Sequence, residues 1–261
     1  MEAQAINDES FQACLSDPVK PTAAIKAKTV CEDPKMVHFT DFLSPDEAAH
    51  LLRLAEGRWV RSTVTRGSAS ALLRQAPNCT PQSEGCAPSA CEEKSPAEEE
   101  VPEAPREVQS QTCTSSSCRL DYEESLVVER VIARAATVAG FPLEHVEKLV
   151  LVRYRPGETF KLHHDGAMRP KTVFAYLNDV PEGGETRFPH LGLQVRPSLG
   201  TAVMWPNVIG SGEDAEADRR MDHEALPPAE GYVKYGVNCF VNARPQRDCS
   251  HIKLVHIGAG A

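Results

Sequence analysis

The second half of the chain is dominated by short segments with the residue pattern of β-strands. Seven of them follow residue 146, at 147–155, 158–164, 172–178, 184–188, 192–196, 200–205 and 232–242. Turn residues such as Pro156-Gly157 and Pro197-Ser198 separate them. So many short strands within about a hundred residues predict a β-sandwich or a jelly roll.

Two amphipathic segments precede these strands and predict helices that back the sheets. In the first, residues 44–57, Ser44 and Glu47 have the spacing of a capping box. The second spans Tyr122–Ala139 and is followed by a glycine that ends it. Together with two further predicted strands, at 36–43 and 59–65, they predict an α+β fold that is mainly β, with its helices in the N-terminal part.

The composition divides the chain into regions. Residues 1–35 are polar and lack periodicity, which predicts a loosely ordered lead-in to a domain at 36–245. A low-complexity acidic insertion at about 67–110 interrupts that domain. It is predicted to be weakly ordered, because it has too few large apolar residues to offset the entropy of ordering. Residues 246–261 form a tail. Cysteines cluster around the insertion, but their spacings fit no common zinc finger, so exposed thiols are favoured over zinc.

Charge and hydropathy restrict the partners that we expect. The net charge of −9 argues against nucleic acid and anionic membranes as partners. No run of 18 apolar residues occurs, and the first residues lack the basic and apolar parts of a signal peptide. Nine cysteines without a CxxC pair are typical of a reduced chain. We therefore expect a cytoplasmic or nuclear protein.

The segment KLHHDG carries the residues with the clearest chemical potential. On a regular strand, His163 and Asp165 project from one face and His164 from the other. An imidazole and a carboxylate on one face can be two ligands of a metal ion. A second histidine from a distant strand would complete a 2-His-1-carboxylate triangle, which leaves three positions open on an octahedral Fe(II). The candidates for this third ligand are His223, which is preferred, and His190 in a turn.

A lysine lies in the last apolar strand, eleven positions after His223. Lys234 needs either an exposed face or an anionic partner, since an isolated buried ammonium group is costly. Taken alone, the exposed face is the simpler interpretation. An anionic ligand that enters the barrel would be the other solution.

These motifs together resemble the prolyl 4-hydroxylase family of Fe(II)- and 2-oxoglutarate-dependent dioxygenases. The resemblance rests on YRPGETFKLHHDG, RPKTVFAYLNDVPEGGETRFP, VRPSLGTAVMWPN and DRRMDHEALPPAEGYVKYGVNCFVN. Two N-terminal segments, FLSPDEAAHLLRLAE and the stretch from 113 to 154, are also similar to the family's helices and first core strand. It covers about residues 36–67 and 110–245 and implies a double-stranded β-helix, or jelly-roll, core.

The resemblance assigns roles by position. It implies that His163, Asp165 and His223 are the iron ligands and catalytic residues, and that Lys234 binds the distal carboxylate of 2-oxoglutarate. Tyr154, Tyr176 and Thr172 are expected to line the cosubstrate pocket, Arg187 to be structural or at its rim, and Trp205 to lie in the core. One departure stands out: Lys234 follows His223 at one position more than in the family's common pattern. If the additional residue lies in the turn before the strand, Lys234 still faces inward. If it shifts the register of the strand by one residue, Lys234 faces outward.

The implied activity is hydroxylation of peptidyl proline, with 2-oxoglutarate and O₂ consumed, succinate and CO₂ released, and ascorbate as the reductant for oxidised iron. The partner is then a proline-containing protein or peptide. Two alternatives stay open: an oxygenase of the same core that acts on another residue or a free small molecule, and a non-catalytic binding module. The sequence leaves the oligomeric state undetermined.

Overall fold

A computed structural model describes residues 24–65, 107–109 and 113–249. Within these residues two antiparallel sheets dominate, and two helices accompany them. The strands are β1 (Lys26–Cys31), β2 (Met36–Thr40), β3 (Val60–Arg61), β4 (Thr63–Thr65), β5 (Glu107–Gln109), β6 (Ser116–Leu120), β7 (Leu149–Tyr154), β8 (Phe160–His163), β9 (Lys171–Tyr176), β10 (Thr186–Phe188), β11 (Leu193–Val195), β12 (Ala202–Pro206), β13 (Val208–Ile209), β14 (Glu216–Ala217), β15 (His223–Ala225) and β16 (Lys234–Val241). The helices are α1 (Pro45–Ala55) and α2 (Leu126–Ala139).

The larger sheet has eight strands in the order β1-β2-β12-β9-β16-β7-β6-β3, and the smaller has four in the order β11-β10-β15-β8. Two short pairs, β4 with β5 and β13 with β14, complete the described part. The order joins strands that are distant in sequence, as in a double-stranded β-helix. This confirms the predicted fold class, an α+β and mainly β jelly roll backed by N-terminal helices.

The core consists of two apolar clusters on opposite faces of the larger sheet. One joins the helices to the sheet and includes Val131, Leu151 and Val237. The other lies between the two sheets and includes Tyr176, Phe188 and Trp205. Because strand residues alternate between faces, β7, β9 and β12 each contribute residues to both clusters. The space between the sheets is where the predicted site residues lie.

Helix α1 forms as its sequence predicts. The Ser44 hydroxyl accepts a hydrogen bond from the Glu47 backbone N–H at 3.1 Å, and the Glu47 carboxylate accepts one from the Ser44 N–H at 2.9 Å. Helix α2 starts later than predicted, at Leu126 rather than Tyr122, because Ser125 caps the Val128 N–H and fixes the first turn there. Gly140, in the left-handed conformation at a φ of 67°, ends it.

Several predicted boundaries need correction. The prediction of a loosely ordered lead-in is wrong for 26–31, which pair with β2 as an edge strand whose exposed residues carry no apolar alternation. The insertion ends earlier than predicted, since 107–109 pair with β4. Strands β6, β13, β14 and β15 are not predicted at all. The other predictions for the lead-in, the insertion and the tail concern residues 1–23, 66–106, 110–112 and 250–261. These residues lie outside the part of the chain that the structure describes.

No helix of the described part is long and apolar enough to cross a membrane.

The tail is anchored at its start, where the Arg247 guanidinium pairs with Glu129 of α2 at 2.7 Å and stacks on Tyr122.

A buried ion pair joins the two helices. The Arg134 guanidinium on α2 donates two hydrogen bonds to the Glu47 carboxylate on α1, at 2.9 and 3.0 Å, and a third to the Phe42 carbonyl at 2.6 Å. Glu47 is 2% exposed. Its carboxylate therefore serves as both helix cap and counter-ion.

Removing the Glu47 carboxylate takes away two hydrogen bonds of the Arg134 guanidinium and the acceptor of the Ser44 N–H. Glu47→Ala should lower the free energy of unfolding by about 3 kcal/mol, measured by denaturant titration. The control is Asp46→Ala in the same helical turn, where the side chain is exposed and the loss should stay within about 0.5 kcal/mol. Equal losses for both variants would contradict the role assigned to the ion pair.

Candidate metal and cosubstrate site

The pairing of two short strands brings the predicted ligands together. Strands β8 and β15 are antiparallel, and His163 is the register partner of His223. Asp165 follows β8 after the strand has ended at His163, so it reaches the histidines from a loop rather than from the strand face that the sequence argument assumed. Its Oδ1 lies 3.7 Å from His163 Nε2 and 3.8 Å from His223 Nε2.

Hydrogen bonds on the far side of each imidazole fix its tautomer. His163 Nδ1 lies 2.8 Å from the Lys161 carbonyl oxygen, and His223 Nδ1 lies 3.0 Å from that of Met221. Since a carbonyl oxygen only accepts, both Nδ1 atoms must carry the hydrogen. The Nε2 lone pairs are therefore free, and they converge on the Asp165 carboxylate.

Aromatic rings hold the planes of the two imidazoles. Phe160 stacks on His163 with ring centroids 3.6 Å apart at an interplanar angle of 10°. Trp205 packs edge-on against His223 at 4.8 Å, and Phe188 lies 5.4 Å from the same imidazole. The ligand geometry is thus supported by packing as well as by hydrogen bonds.

The second oxygen of Asp165 is held by Thr172. The Thr172 hydroxyl donates to Asp165 Oδ2 at 2.7 Å and accepts from the Asn207 amide at 2.9 Å. Its single hydrogen is therefore already used. The Thr172 hydroxyl therefore orients the Asp165 carboxylate, and its expected place in the lining of the cosubstrate pocket stays a prediction.

The donor set suits a divalent transition metal. Burial, followed by the neighbouring His223, lowers the pKa of His163 to about 3, so this imidazole is neutral and available as a ligand. Burial alone would raise the pKa of Asp165, but the two histidines and the Thr172 hydrogen bond lower it, so the carboxylate is ionised. Two imidazoles and one carboxylate with all three donor atoms within 4.8 Å fit Fe(II). In the described ranges this is the one such group of His, Cys, Asp or Glu.

The other candidate ligands point elsewhere. His164 faces away, and its Nδ1 accepts from the Gly166 N–H at 2.9 Å. His190 is about half exposed and lies 3.9 Å from Asp222. Asp222 itself pairs with Arg219 at 2.8 Å and not with His223, so the carboxylate next to the predicted ligand does not orient it.

Lys234 faces the space between the sheets and is completely buried. It opens β16 as the register partner of Tyr154. The added residue is absorbed before the strand, in a turn where the Tyr232 N–H donates to the Ala229 carbonyl at 3.1 Å and Gly231 has a φ of 85°. The strand has therefore not slipped, and the exposed-face interpretation of Lys234 is wrong.

Aromatic rings rather than carboxylates surround the Lys234 ammonium group. Its Nζ lies 5.3, 5.4 and 5.6 Å from the ring centroids of Tyr154, Phe174 and Tyr176. The nearest hydrogen-bond partner is the Thr186 hydroxyl at 3.4 Å. Burial lowers the pKa of Lys234 to about 7, although Glu185 acts in the opposite direction. No carboxylate pairs directly with Lys234 among the described side chains, so the ammonium group has no bound anionic partner there.

The two predicted pocket tyrosines are both buried beside Lys234, and burial raises the pKa of each, so both phenols are neutral. The Tyr176 hydroxyl donates to Thr186 at 2.9 Å, so its ring rather than its hydroxyl faces the cavity. Arg187 pairs with Glu224 across β10 and β15 at 2.6 Å and is structural.

One residue near the site was not singled out from the sequence. The Arg169 guanidinium makes a two-point contact with Glu147, at 2.8 Å for both bonds, and stacks on Phe240 with its central carbon 3.9 Å from the ring centroid. It also reaches the Asp165 carbonyl at 3.4 Å. Its partners Glu147 and Phe240 are distant from it in sequence, so only the structure reveals these contacts.

The part of the chain that carries this site is similar to known proteins. Residues 149–242, which include His163, Asp165, His223 and Lys234, match the family model described as the 2OG-Fe(II) oxygenase superfamily. Prolyl 4-hydroxylase subunit alpha-1 of Rattus norvegicus is 31% identical over 249 residues, which are 89% of this chain and 39% of that protein. Prolyl 4-hydroxylase 1 of Arabidopsis thaliana is 26% identical and is matched over 66% of its length.

The solved structures support the fold. The 2OG complex of viral collagen prolyl hydroxylase vCPH from Paramecium Bursaria Chlorella virus-1 matches 82% of this chain and 99% of that chain. Its TM-score is 0.54 at 17% sequence identity. The chain spans 40% of the Gallus gallus prolyl 4-hydroxylase subunit alpha-1 that it also matches.

The hydrogen bond from Thr172 generates a test of the metal site. Thr172→Val keeps the shape of the side chain but removes the donor to Asp165, so Zn(II) affinity should fall by about 10–100-fold in competition with a chromophoric chelator. Thr186→Val, at the lysine end of the cavity, is the matched control and should bind Zn(II) as the wild type does. Unchanged affinity in Thr172→Val would show that the bond does not orient the carboxylate.

Proposed function

Because the chain belongs to the prolyl 4-hydroxylase family of the 2OG-Fe(II) oxygenase superfamily, we propose that it is a dioxygenase that hydroxylates proline residues in proteins or peptides. One observation carries the proposal. The space between the two sheets contains a complete 2-His-1-carboxylate set together with a buried lysine that has no carboxylate partner among the described residues.

His163, Asp165 and His223 would hold Fe(II). With Fe(II) bound, the centre supplies the activation of O₂ that couples the conversion of 2-oxoglutarate to succinate and CO₂ with hydroxylation of a C–H bond. The fixed tautomers of the two histidines present lone pairs without prior rearrangement. The ion thus meets a site that is already organised.

Lys234 would pair with the distal carboxylate of 2-oxoglutarate. A dianion that enters the cavity restores the charge that burial disfavours on the ammonium group. Tyr154 and Tyr176 form apolar walls beside it, which exclude water and so strengthen the ion pair.

The substrate class rests on the relatives, whose names identify them as prolyl 4-hydroxylases. A proline-containing protein or peptide is therefore the proposed partner, and ascorbate the proposed reductant. On the cysteine pattern and the net charge of −9, the cytoplasm or nucleus is the proposed compartment, with no nucleic-acid or membrane partner.

The charge state of Lys234 generates a pH prediction. With a pKa of about 7, Lys234 is protonated at pH 6 and mostly neutral at pH 8, whereas the bound dianion favours the protonated form. Binding of 2-oxoglutarate to the Zn(II)-loaded protein should therefore take up nearly one proton at pH 8 and become about tenfold weaker than at pH 6. Calorimetry in buffers of different ionisation enthalpy measures both.

The control for this pH dependence is Lys234→Arg, whose guanidinium stays charged across the range and should abolish the proton uptake. Wild-type protein that takes up no proton at pH 8 would contradict the assignment of Lys234.

The function is tested by succinate release with proline-containing peptides, in the presence of Fe(II), 2-oxoglutarate and ascorbate. We expect peptide-dependent succinate and a product heavier by one oxygen in the wild type. His223→Ala should reduce the rate by more than about 1,000-fold, since the ligand triangle is broken. His190→Ala, the competing ligand candidate, should keep the wild-type rate. Turnover with a free amino acid, and not with peptides, would reject the proposed substrate class.

A further inference from the structure

Trp205 has a buried hydrogen-bond donor that no described residue satisfies. The residue is 1% exposed, and its Nε1 lacks a partner. Buried indole N–H groups nearly always find an acceptor, and leaving one unpaired costs stability. An unpaired donor next to a candidate metal site therefore indicates where a ligand atom would belong.

The position of Trp205 places this donor at the metal end of the cavity. Its ring packs edge-on against the His223 imidazole at 4.8 Å. On the sheet, Trp205 is the register partner of Thr172, which holds the Asp165 carboxylate. Tyr176, beside the Lys234 ammonium group, lies on β9, four residues after Thr172. The cavity thus has a lysine end and a metal end, and Trp205 belongs to the latter.

The acceptor atoms of the neighbouring His223 and Asp165 already have partners. His223 uses Nδ1 for the Met221 carbonyl, and its Nε2 converges with Asp165. The second oxygen of Asp165 accepts from Thr172. The buried Asn207 Oδ1 and Asp222 Oδ1 also lack partners, but neither forms a hydrogen bond with the indole. The acceptor for Trp205 must then come with the ligand.

We propose that the Trp205 indole N–H donates a hydrogen bond to an oxygen at the keto-acid end of 2-oxoglutarate. The inference rests on the proposed function, because it requires 2-oxoglutarate in this cavity. Lys234 then fixes the distal carboxylate, and Trp205 fixes the end next to the ligand triad. Trp205 acts as a cosubstrate-binding residue and not only as packing for His223.

The test uses the two tryptophans of the chain. Trp59 lies on the far side of the larger sheet, against Tyr235, so Trp59→Phe leaves Trp205 as the only indole. In ¹⁵N-labelled, Zn(II)-loaded Trp59→Phe protein, saturating 2-oxoglutarate should move the single indole N–H resonance downfield. A resonance that does not move when 2-oxoglutarate is bound would overturn the proposal. This measurement needs no change at Trp205 itself.

The matched variant is Trp205→Phe, which keeps an aromatic ring but removes the donor. Its dissociation constant for 2-oxoglutarate should rise about tenfold, as expected for the loss of one hydrogen bond to an anion, while Zn(II) affinity and the far-UV circular dichroism spectrum stay close to wild type. Trp59→Phe should bind 2-oxoglutarate normally. Wild-type affinity in Trp205→Phe would overturn the inference alone. Wild-type protein that binds no 2-oxoglutarate would overturn the proposed function, and this inference with it.

Discussion

The site depends on one short antiparallel pairing, that of β8 with β15. It places His163 directly opposite His223, although 60 positions separate them in the sequence. Because side chains alternate along a strand, a slip of one residue in this register would turn one imidazole to the outer face. The flanking contacts with Phe160, Phe188 and Trp205 act in the same direction, since they pack only when both rings face inward.

The second constraint is the burial of Lys234 among aromatic rings. A stable fold tolerates this ammonium group because its pKa is low enough for it to lose its proton. The larger sheet makes that burial unavoidable, since β16 lies between β9 and β7 and its register fixes which residues face the cavity. A dicarboxylate is the ligand that would relieve the cost at the lysine end while completing the metal end. Under the proposed function, Lys234 and the ligand triad are therefore two parts of one recognition site.

Local features and the grouping of His163, Asp165 and His223 were predictable from sequence, whereas the other cross-strand contacts were not. The capping box of α1 involves residues three positions apart, and it forms as expected. The strand pattern of 147–242 predicted the jelly roll. In contrast, β1 is an exposed edge strand and β15 has three residues, so neither has enough apolar alternation to be recognised. The bond from Thr172 to Asp165 and the contact of Arg169 with Glu147 depend on tertiary partners. Lys234 faces inward because of the turn before β16. The sequence shows the length of this turn, but only the structure shows its geometry.

The central claim is that His163, Asp165 and His223 hold Fe(II) in the same cavity in which Lys234 receives 2-oxoglutarate. Anaerobic titration of the protein with Fe(II) and 2-oxoglutarate tests it most directly, through the weak visible charge-transfer band that appears when a keto acid chelates this ion. The account predicts a band that saturates at one equivalent of each and disappears in the Asp165→Ala, His223→Ala double variant. A wild-type protein without the band, or a double variant that retains it, would contradict the account.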